Sequence, residues 1–364
     1  MYGFEPTEEQ QMLIDAVERY AQQQLREAAR EADEAGELPL KLIETGWELG
    51  VLQASIPETY GGFGDHSAVT GALAAEAMAW GDLAASLAVM APTSYVLPIL
   101  LGGTEEQKTS LIPPVIEGEW QPYVAAFVEP AFDFTPGMMQ TEAKPDKTGY
   151  KLNGVKSFVP FADKAQSLLI FAMLDGKMRA FVVPAGAEGL EISEREPWLG
   201  VRALPTYTIT LNDVGVEQAS LVGSPDAFPG DQVVASSQVA IAAMAIGVSK
   251  AALDYAIPYA KEREVWGSPI AQKQSIAFML AEMAIEIESN RLLVWEAAWK
   301  LDEGHPDAGR AAYLALTGAA DTAMMVTDRA VQVLGGHGYI REHPVELWMR
   351  NGRGIPVMTG LAMV

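Results

Sequence analysis

From Ser236 to Arg263 the sequence is apolar on nearly every helical face through its first half. A helix with no polar face has to be wrapped by others. Two further long runs at helical spacing follow, Ile276–Leu301 and Ala308–Leu334, and Gly335-Gly336 closes the second of them as a C-cap. Three long helices, one apolar all round, predict a four-helix bundle over residues 231–364.

The rest of the chain divides on the period of its apolar residues. Residues 1–120 read as an N-terminal helical domain. Thr7-Glu8-Glu9-Gln10 and Thr104-Glu105-Glu106-Gln107 have the capping-box pattern, and apolar spacings of three and four run through Leu42–Leu49 and Ala68–Met90. Breaks fall at residues 57–64 and 102–103. Residues 121–230 change to short β-type runs: Lys151–Val159, Leu168–Leu174, Arg179–Pro184 and Tyr207–Leu211. Asp175-Gly176 between two of them is a hairpin signal. This middle domain is expected to be an antiparallel β-barrel or sandwich, which makes the chain α+β.

Composition narrows the function. A formal charge of −23 over 364 residues disfavours nucleic acid and requires a local basic patch for any anionic ligand. There is no cysteine, which excludes disulfides, thiolate catalysis and Cys-ligated clusters. His66, His305, His337 and His343 have no partner at metal-ligand spacing, so no metal is expected. The N-terminus lacks the basic and apolar regions of a signal peptide, and no run reaches the uninterrupted length of a bilayer span. A cytoplasmic protein is expected. Gly62-Phe63-Gly64 lacks the third glycine and preceding strand of a dinucleotide fingerprint.

The segment from Ala330 through Gln332, Gly335-Gly336-His337-Gly338-Tyr339 and Pro344-Val345-Glu346 to Arg350-Asn351 resembles the C-terminal signature of the acyl-CoA dehydrogenase flavoproteins. Pro57-Glu58-Thr59-Tyr60-Gly61-Gly62-Phe63-Gly64, Gly103–Lys108, Glu117-Gly118-Glu119, Leu199–Arg202 and Asn212-Asp213-Val214 resemble further family segments in the family order. The resemblance covers essentially the whole chain. It implies FAD as cofactor, an acyl-CoA thioester as substrate, a tetramer and electron transfer to an electron-transferring flavoprotein. The implied reaction removes an α-proton with a carboxylate base and a β-hydride with the flavin.

The resemblance also assigns residues. In the family tetramer a neighbouring subunit contacts the adenine and pyrophosphate end of each FAD. The matching positions here are Arg263, Trp266, Gln274, Gln332, Gly335 and Gly336. An arginine fork suits a phosphate, and glycines let backbone N–H groups approach one. Taken singly, the same residues read equally well as a helix-end arginine, a core tryptophan and a glycine cap.

The positions that would hold the chain's own flavin differ from the family pattern. Where the family has Thr-Glu-Pro-Gly-Ala-Gly-Ser-Asp, this chain has Val128-Glu129-Pro130-Ala131-Phe132-Asp133-Phe134-Thr135. A one-residue slip would put Thr135 at the serine position. Asp133 would repel a pyrophosphate placed beside it. Where the family has Trp-Ile-Thr, the chain has Phe158-Val159-Pro160. Phe158 can still pack on a ring, but Pro160 has no donor. Thr359 stands at the usual glutamate base, and Ser237-Gln238 at the alternative one. Val364 comes five residues after Thr359, where relatives continue into another helix. Two readings follow. In one, this is a heteromeric subunit that completes a paralogous partner's FAD site. In the other, it is a homotetrameric FAD enzyme with an unusual base or an altered reaction.

Overall fold

The computed structural model describes residues 6–132 and 134–364. Helix α1 (Glu8–Tyr20) starts at Thr7, whose hydroxyl accepts from Gln10 N while the Gln10 side chain accepts from Thr7 N. This is the reciprocal cap expected from the sequence. A π-helical turn (Ala21–Leu25) leads into α2 (Arg26–Ala35), followed by α3 (Leu40–Trp47), α4 (Ala68–Gly81), α5 (Leu83–Met90), α6 (Thr93–Gly102), α7 (Glu105–Leu111) and α8 (Pro113–Ile116). The run expected as one helix over 68–90 is two. Asp82 leaves the helical region (φ −157°) and accepts from Ala85 N, capping α5.

Strands β1 (Tyr123–Ala126), β2 (Glu142–Asp146), β3 (Gly149–Pro160), β4 (Ser167–Leu174), β5 (Lys177–Pro184), β6 (Leu190–Arg195) and β7 (Thr206–Glu217) make one seven-stranded sheet. The turn between β4 and β5 has Asp175 and Gly176 both at positive φ, as that dipeptide predicts. The sheet is mixed. β4 runs parallel to both β1 and β2, and the other pairings are antiparallel. Strands β2 and β6 escape the sequence pattern because they are largely exposed and polar.

Helix α9 (Gly230–Glu262) is followed by the two-residue strands β8 (Glu264–Val265) and β9 (Ser268–Pro269), then α10 (Gln274–Asp302), α11 (Ala308–Leu334) and α12 (Val345–Arg353). By length and composition α9 could cross a bilayer, contrary to the sequence reading, but 83% of its most apolar window is buried. It packs against α11, α10, α12 and, from the N-terminal region, α4. At Gly247 the α9 and α4 backbones meet. A Cβ there would stand 2.2 Å from Glu76 O, so only glycine fits.

Polar ties fix these layers. Asp302, at the end of α10, accepts from Ala68 N (2.6 Å), Val69 N (3.2 Å) and Ser67 Oγ (3.0 Å), capping α4 from across the molecule. Arg350 on α12 forks onto Asp33 of α2 (2.6 and 3.0 Å) and also meets Glu346. These contacts seat the N-terminal helices on the C-terminal bundle.

Asp82 supplies a test of this packing. Burial pushes its carboxyl up to about 6, against the N–H bonds of the cap. The folded state therefore holds the proton more tightly than the unfolded chain. Its contribution to stability is greatest at low pH and is lost as pH rises through 6. Asp82→Asn keeps the cap and removes the titration. Urea unfolding should show the Asp82→Asn variant gaining up to about 3 kcal/mol on the native protein between pH 4 and pH 7. A difference that does not change with pH would refute the buried carboxyl.

Candidate functional site

The C-terminal segment runs through the core beside the start of α9. Leu361 to Val364 are buried. Gly360 N donates to Ser237 Oγ at 2.6 Å, Val364 N donates to Ser236 Oγ at 3.1 Å, and Met363 N donates to Thr93 Oγ1 at 2.9 Å. Thr359 and Ser237, far apart in sequence, are thus brought together, with Gln238 half-buried next to them. Gly360 adopts φ +98°, and a Cβ on it would lie 2.4 Å from Phe127 Cβ. Thr359 is therefore next to the strand that leads into Val128.

Val128 is joined to β3. Its carbonyl accepts from Ser157 N at 2.9 Å. Here β3 bulges: Lys156 pairs with Ile209 and Val159 with Tyr207, leaving Ser157-Phe158 opposite Thr208 alone. Phe158 is buried at φ +60°, a strained conformation for an aromatic residue. The Glu196 carboxylate holds it there, accepting from Phe158 N (3.1 Å), Thr208 Oγ1 (2.7 Å) and Trp198 Nε1 (3.1 Å). The Phe158 ring packs edge-on against Trp198.

Beneath the bulge lies a buried ion pair. Lys156 Nζ donates to Glu129 Oε1 (2.9 Å) and Phe127 O (3.2 Å). Glu129 also accepts from Gln140 N and Thr141 N. Burial pulls the Lys156 ammonium down to about 8 against the pull of Glu129. Burial raises the Glu129 carboxyl, but Lys156 and the Thr141 and Gln140 donors outweigh it and hold the group below the usual range. Lys156→Met would leave Glu129 buried and unpaired, and should cost about 3–5 kcal/mol in urea unfolding.

The second group of residues lies at the other end of α9. Arg263 caps that helix, and Ile270 N donates to its carbonyl, closing the β8–β9 hairpin. Trp266 is at the hairpin tip with φ +58° and is 93% exposed, so it is no core residue. Gln274 is exposed at the start of α10, and Gln332 is exposed on the last turn of α11. Gly335 (φ +59°) and Gly336 are exposed, with nothing within 4 Å of where a Cβ would stand. The two helix ends are joined by Tyr259. Its hydroxyl lies 2.8 Å from His337 Nδ1 and 3.4 Å from Leu334 O.

The two groups are far apart. Ser237 and Arg263 are 26 residues apart on one helix, or roughly 39 Å at 1.5 Å per residue. That is farther than one extended dinucleotide reaches.

Comparison with known proteins identifies the family. The chain matches the family models for the acyl-CoA dehydrogenase N-terminal domain over residues 7–119, middle domain over 125–214 and C-terminal domain over 232–362. The chain belongs to the acyl-CoA dehydrogenase family. It is 34% identical over 373 residues to the "Probable acyl-CoA dehydrogenase YngJ" of Bacillus subtilis, covering 100% of this chain and 97% of that one. It is 32% identical to the mitochondrial short-chain specific acyl-CoA dehydrogenase of Bos taurus, covering 98% and 88%. The structure of butyryl-CoA dehydrogenase from Megasphaera elsdenii superposes with a TM-score of 0.89 at 31% identity, covering 99% of this chain and 96% of that one.

Acyl-CoA dehydrogenases are FAD-dependent oxidoreductases, and the two ends of α9 suit FAD differently. At the Arg263 end an exposed guanidinium, an open glycine turn and an exposed indole fit an adenosine diphosphate moiety. At the Thr359 end three candidate donors are missing or taken. Val128 has no side-chain donor, Pro160 has no N–H, and Phe158 N is held by Glu196. Phe134 turns inward, its ring edge-on to Phe127. Thr135 is exposed, and Asp133 lies outside the described residues. Among the described residues no cluster of His, Asp or Glu could hold a metal ion.

Sequence reasoning missed Glu196, Tyr255, Tyr259 and the role of His343. Tyr255 and Tyr259, one helical turn apart, were the available signal for the last three. The Thr359 loop can be tested directly. Gly360→Ala would force a Cβ into Phe127 at a positive φ and should lower stability by about 1–3 kcal/mol, read as a fall in Tm. An unchanged Tm would mean that Phe127 does not abut the loop.

Proposed function

We propose that this chain works in FAD-dependent α,β-dehydrogenation of acyl-CoA thioesters as a subunit that completes the FAD site of a paralogous partner. The observation that carries the reading is the roughly 39 Å along α9 between Ser237 and Arg263. The Arg263 group is too far away to serve a flavin at the Thr359 end of its own chain. It is exposed, so it can serve one held by a neighbour.

Within the assembly, bound FAD supplies the hydride acceptor. Arg263 meets the partner's pyrophosphate with its fork of donors, and the Gly335-Gly336 turn offers backbone N–H groups. Trp266 covers the nucleotide with an apolar wall. On α10 the exposed residues Phe278, Ile285 and Leu292 recur every seventh position, a stripe suited to packing against a neighbouring helix. At the Thr359 end Ser237 fixes the loop, and neither Thr359 nor Ser237 can take an α-proton as a carboxylate does. The partner supplies the base, and an electron-transferring flavoprotein takes the electrons from the assembly.

One observation favours the homotetramer with altered chemistry. Thr359 N–H has no hydrogen-bond acceptor among the described residues, and it could receive a thioester carbonyl.

The deciding measurement is FAD stoichiometry by visible spectroscopy, for the chain purified alone and co-expressed with a paralogue. The proposal expects a colourless chain alone and about one FAD per pair of chains in the complex. Arg263→Ala in this chain should weaken FAD retention by the complex roughly 10- to 100-fold, the size of a lost charge-assisted hydrogen bond. Thr359→Glu should bring no activity to the chain alone. A yellow homotetramer that oxidises an acyl-CoA would defeat the proposal.

A further inference from the structure

The turn that carries Gly335 and Gly336 adjoins a cluster of four rings. Tyr255 and Tyr259 project from α9 one turn apart. The Tyr255 hydroxyl is 2.7 Å from His343 Nδ1, and the Tyr259 hydroxyl is 2.8 Å from His337 Nδ1. The two imidazoles are nearly parallel, 16° apart with centroids at 5.5 Å. Tyr259 packs edge-on to both, and Tyr255 packs edge-on to His343 and Trp348.

Each tyrosine hydroxyl has a single proton. When His337 is neutral with Nδ1 bare, the Tyr259 O–H donates to it. When Nδ1 carries a proton, the imidazolium N–H donates to the tyrosine oxygen instead. The Tyr259 proton then turns to Leu334 O at 3.4 Å, the carbonyl that precedes Gly335. Tyr255 has no second acceptor of this kind among the described residues. Two imidazoliums this close would repel each other.

Among the described residues no carboxylate is paired with either imidazole ring. On α9 the charged and titratable groups around the two tyrosines are Asp254, Tyr255, Tyr259, Lys261, Glu262 and Arg263. Arg30 of α2 donates to His343 O and pairs with Glu346 of α12. Glu346 also pairs with Arg350, which is held by Asp33. Arg341 pairs with Glu34. Glu342, next to His343, is exposed.

We propose that His337 and His343 belong to the nucleotide site and that binding a nucleotide diphosphate at Arg263 and Gly335-Gly336 takes up one proton on this stack. An anion on the turn adds negative charge beside the imidazolium. In return the protonated stack adds a cation behind the glycines. Affinity for the diphosphate then rises as pH falls through the range where an imidazole gains its proton, by at most tenfold per pH unit. This inference rests on reading the Arg263 end as a nucleotide site.

The test is calorimetric titration of the full-length protein, in its native assembly, with ADP-ribose. Both ends of its diphosphate are esterified, so the ligand does not titrate in this range. Titration at one pH in buffers of different ionisation enthalpy counts the protons taken up. The native protein should take up a fraction of a proton that grows from pH 6 to pH 7.5. His337→Gln, which keeps a hydrogen-bonding partner for Tyr259, should abolish the uptake and flatten the pH dependence of Kd. Tyr259→Phe should reduce it. Binding that needs Arg263 but involves no proton uptake overturns this inference and leaves the nucleotide site standing. Binding that survives Arg263→Ala unchanged, or no binding at all, removes the nucleotide reading and this inference with it.

Discussion

The contact of α9 with α4 at Gly247 sets the frame of the molecule. Two helices meet backbone to backbone there, because a side chain of any size would strike Glu76 O. α9 can approach α4 this closely only because it carries small apolar residues on every face, and that composition in turn requires α11, α10 and α12 to close around it. Because α9 is one continuous and largely buried helix, the distance between its ends is set by its length. Everything attached to Ser237 stays at one end, and everything attached to Arg263 stays at the other.

The end near Thr359 is well ordered, which makes its chemistry informative. Lys156 and Glu129 form a buried pair at considerable desolvation cost, and Glu196 holds Phe158 in a left-handed conformation. The bulge N–H groups are bonded within the chain: Ser157 N to Val128 O, Phe158 N to Glu196. The two bulge N–H groups are thus unavailable to a ligand. At the Arg263 end the backbone is open and the side chains are exposed. This contrast is the basis of the division of labour between chains proposed above.

Much of this is legible in the sequence, for reasons that can be named. The two capping boxes, the Asp175-Gly176 turn and the three long helices each follow from local rules and form where expected. Strand β6 is not legible, because an exposed strand with charged residues carries no alternating apolar signal. The division of the 68–90 run at Asp82 escapes a reading by period because apolar spacing continues across it, and the cap becomes visible only as a hydrogen bond. Thr359, Ser237, Val128 and Phe158 stand out within a family frame, but their convergence depends on Gly360 and Ser157, whose partners are more than 20 residues away in sequence. The Tyr–His cluster is invisible for the same reason: spacing only sets His337 and His343 aside as metal ligands, and their tyrosine partners lie on a different helix.

The β8–β9 hairpin has a consequence for the chain outside its assembly. A two-residue turn at positive φ presents the Trp266 indole to solvent. Together with the apolar stripe on α10, it gives an unassembled copy a sticky and permanent face. In the assembly proposed above, such a face would expose an unassembled copy to chaperones and proteases, so the supply of its neighbour would set how much of it a cell can keep.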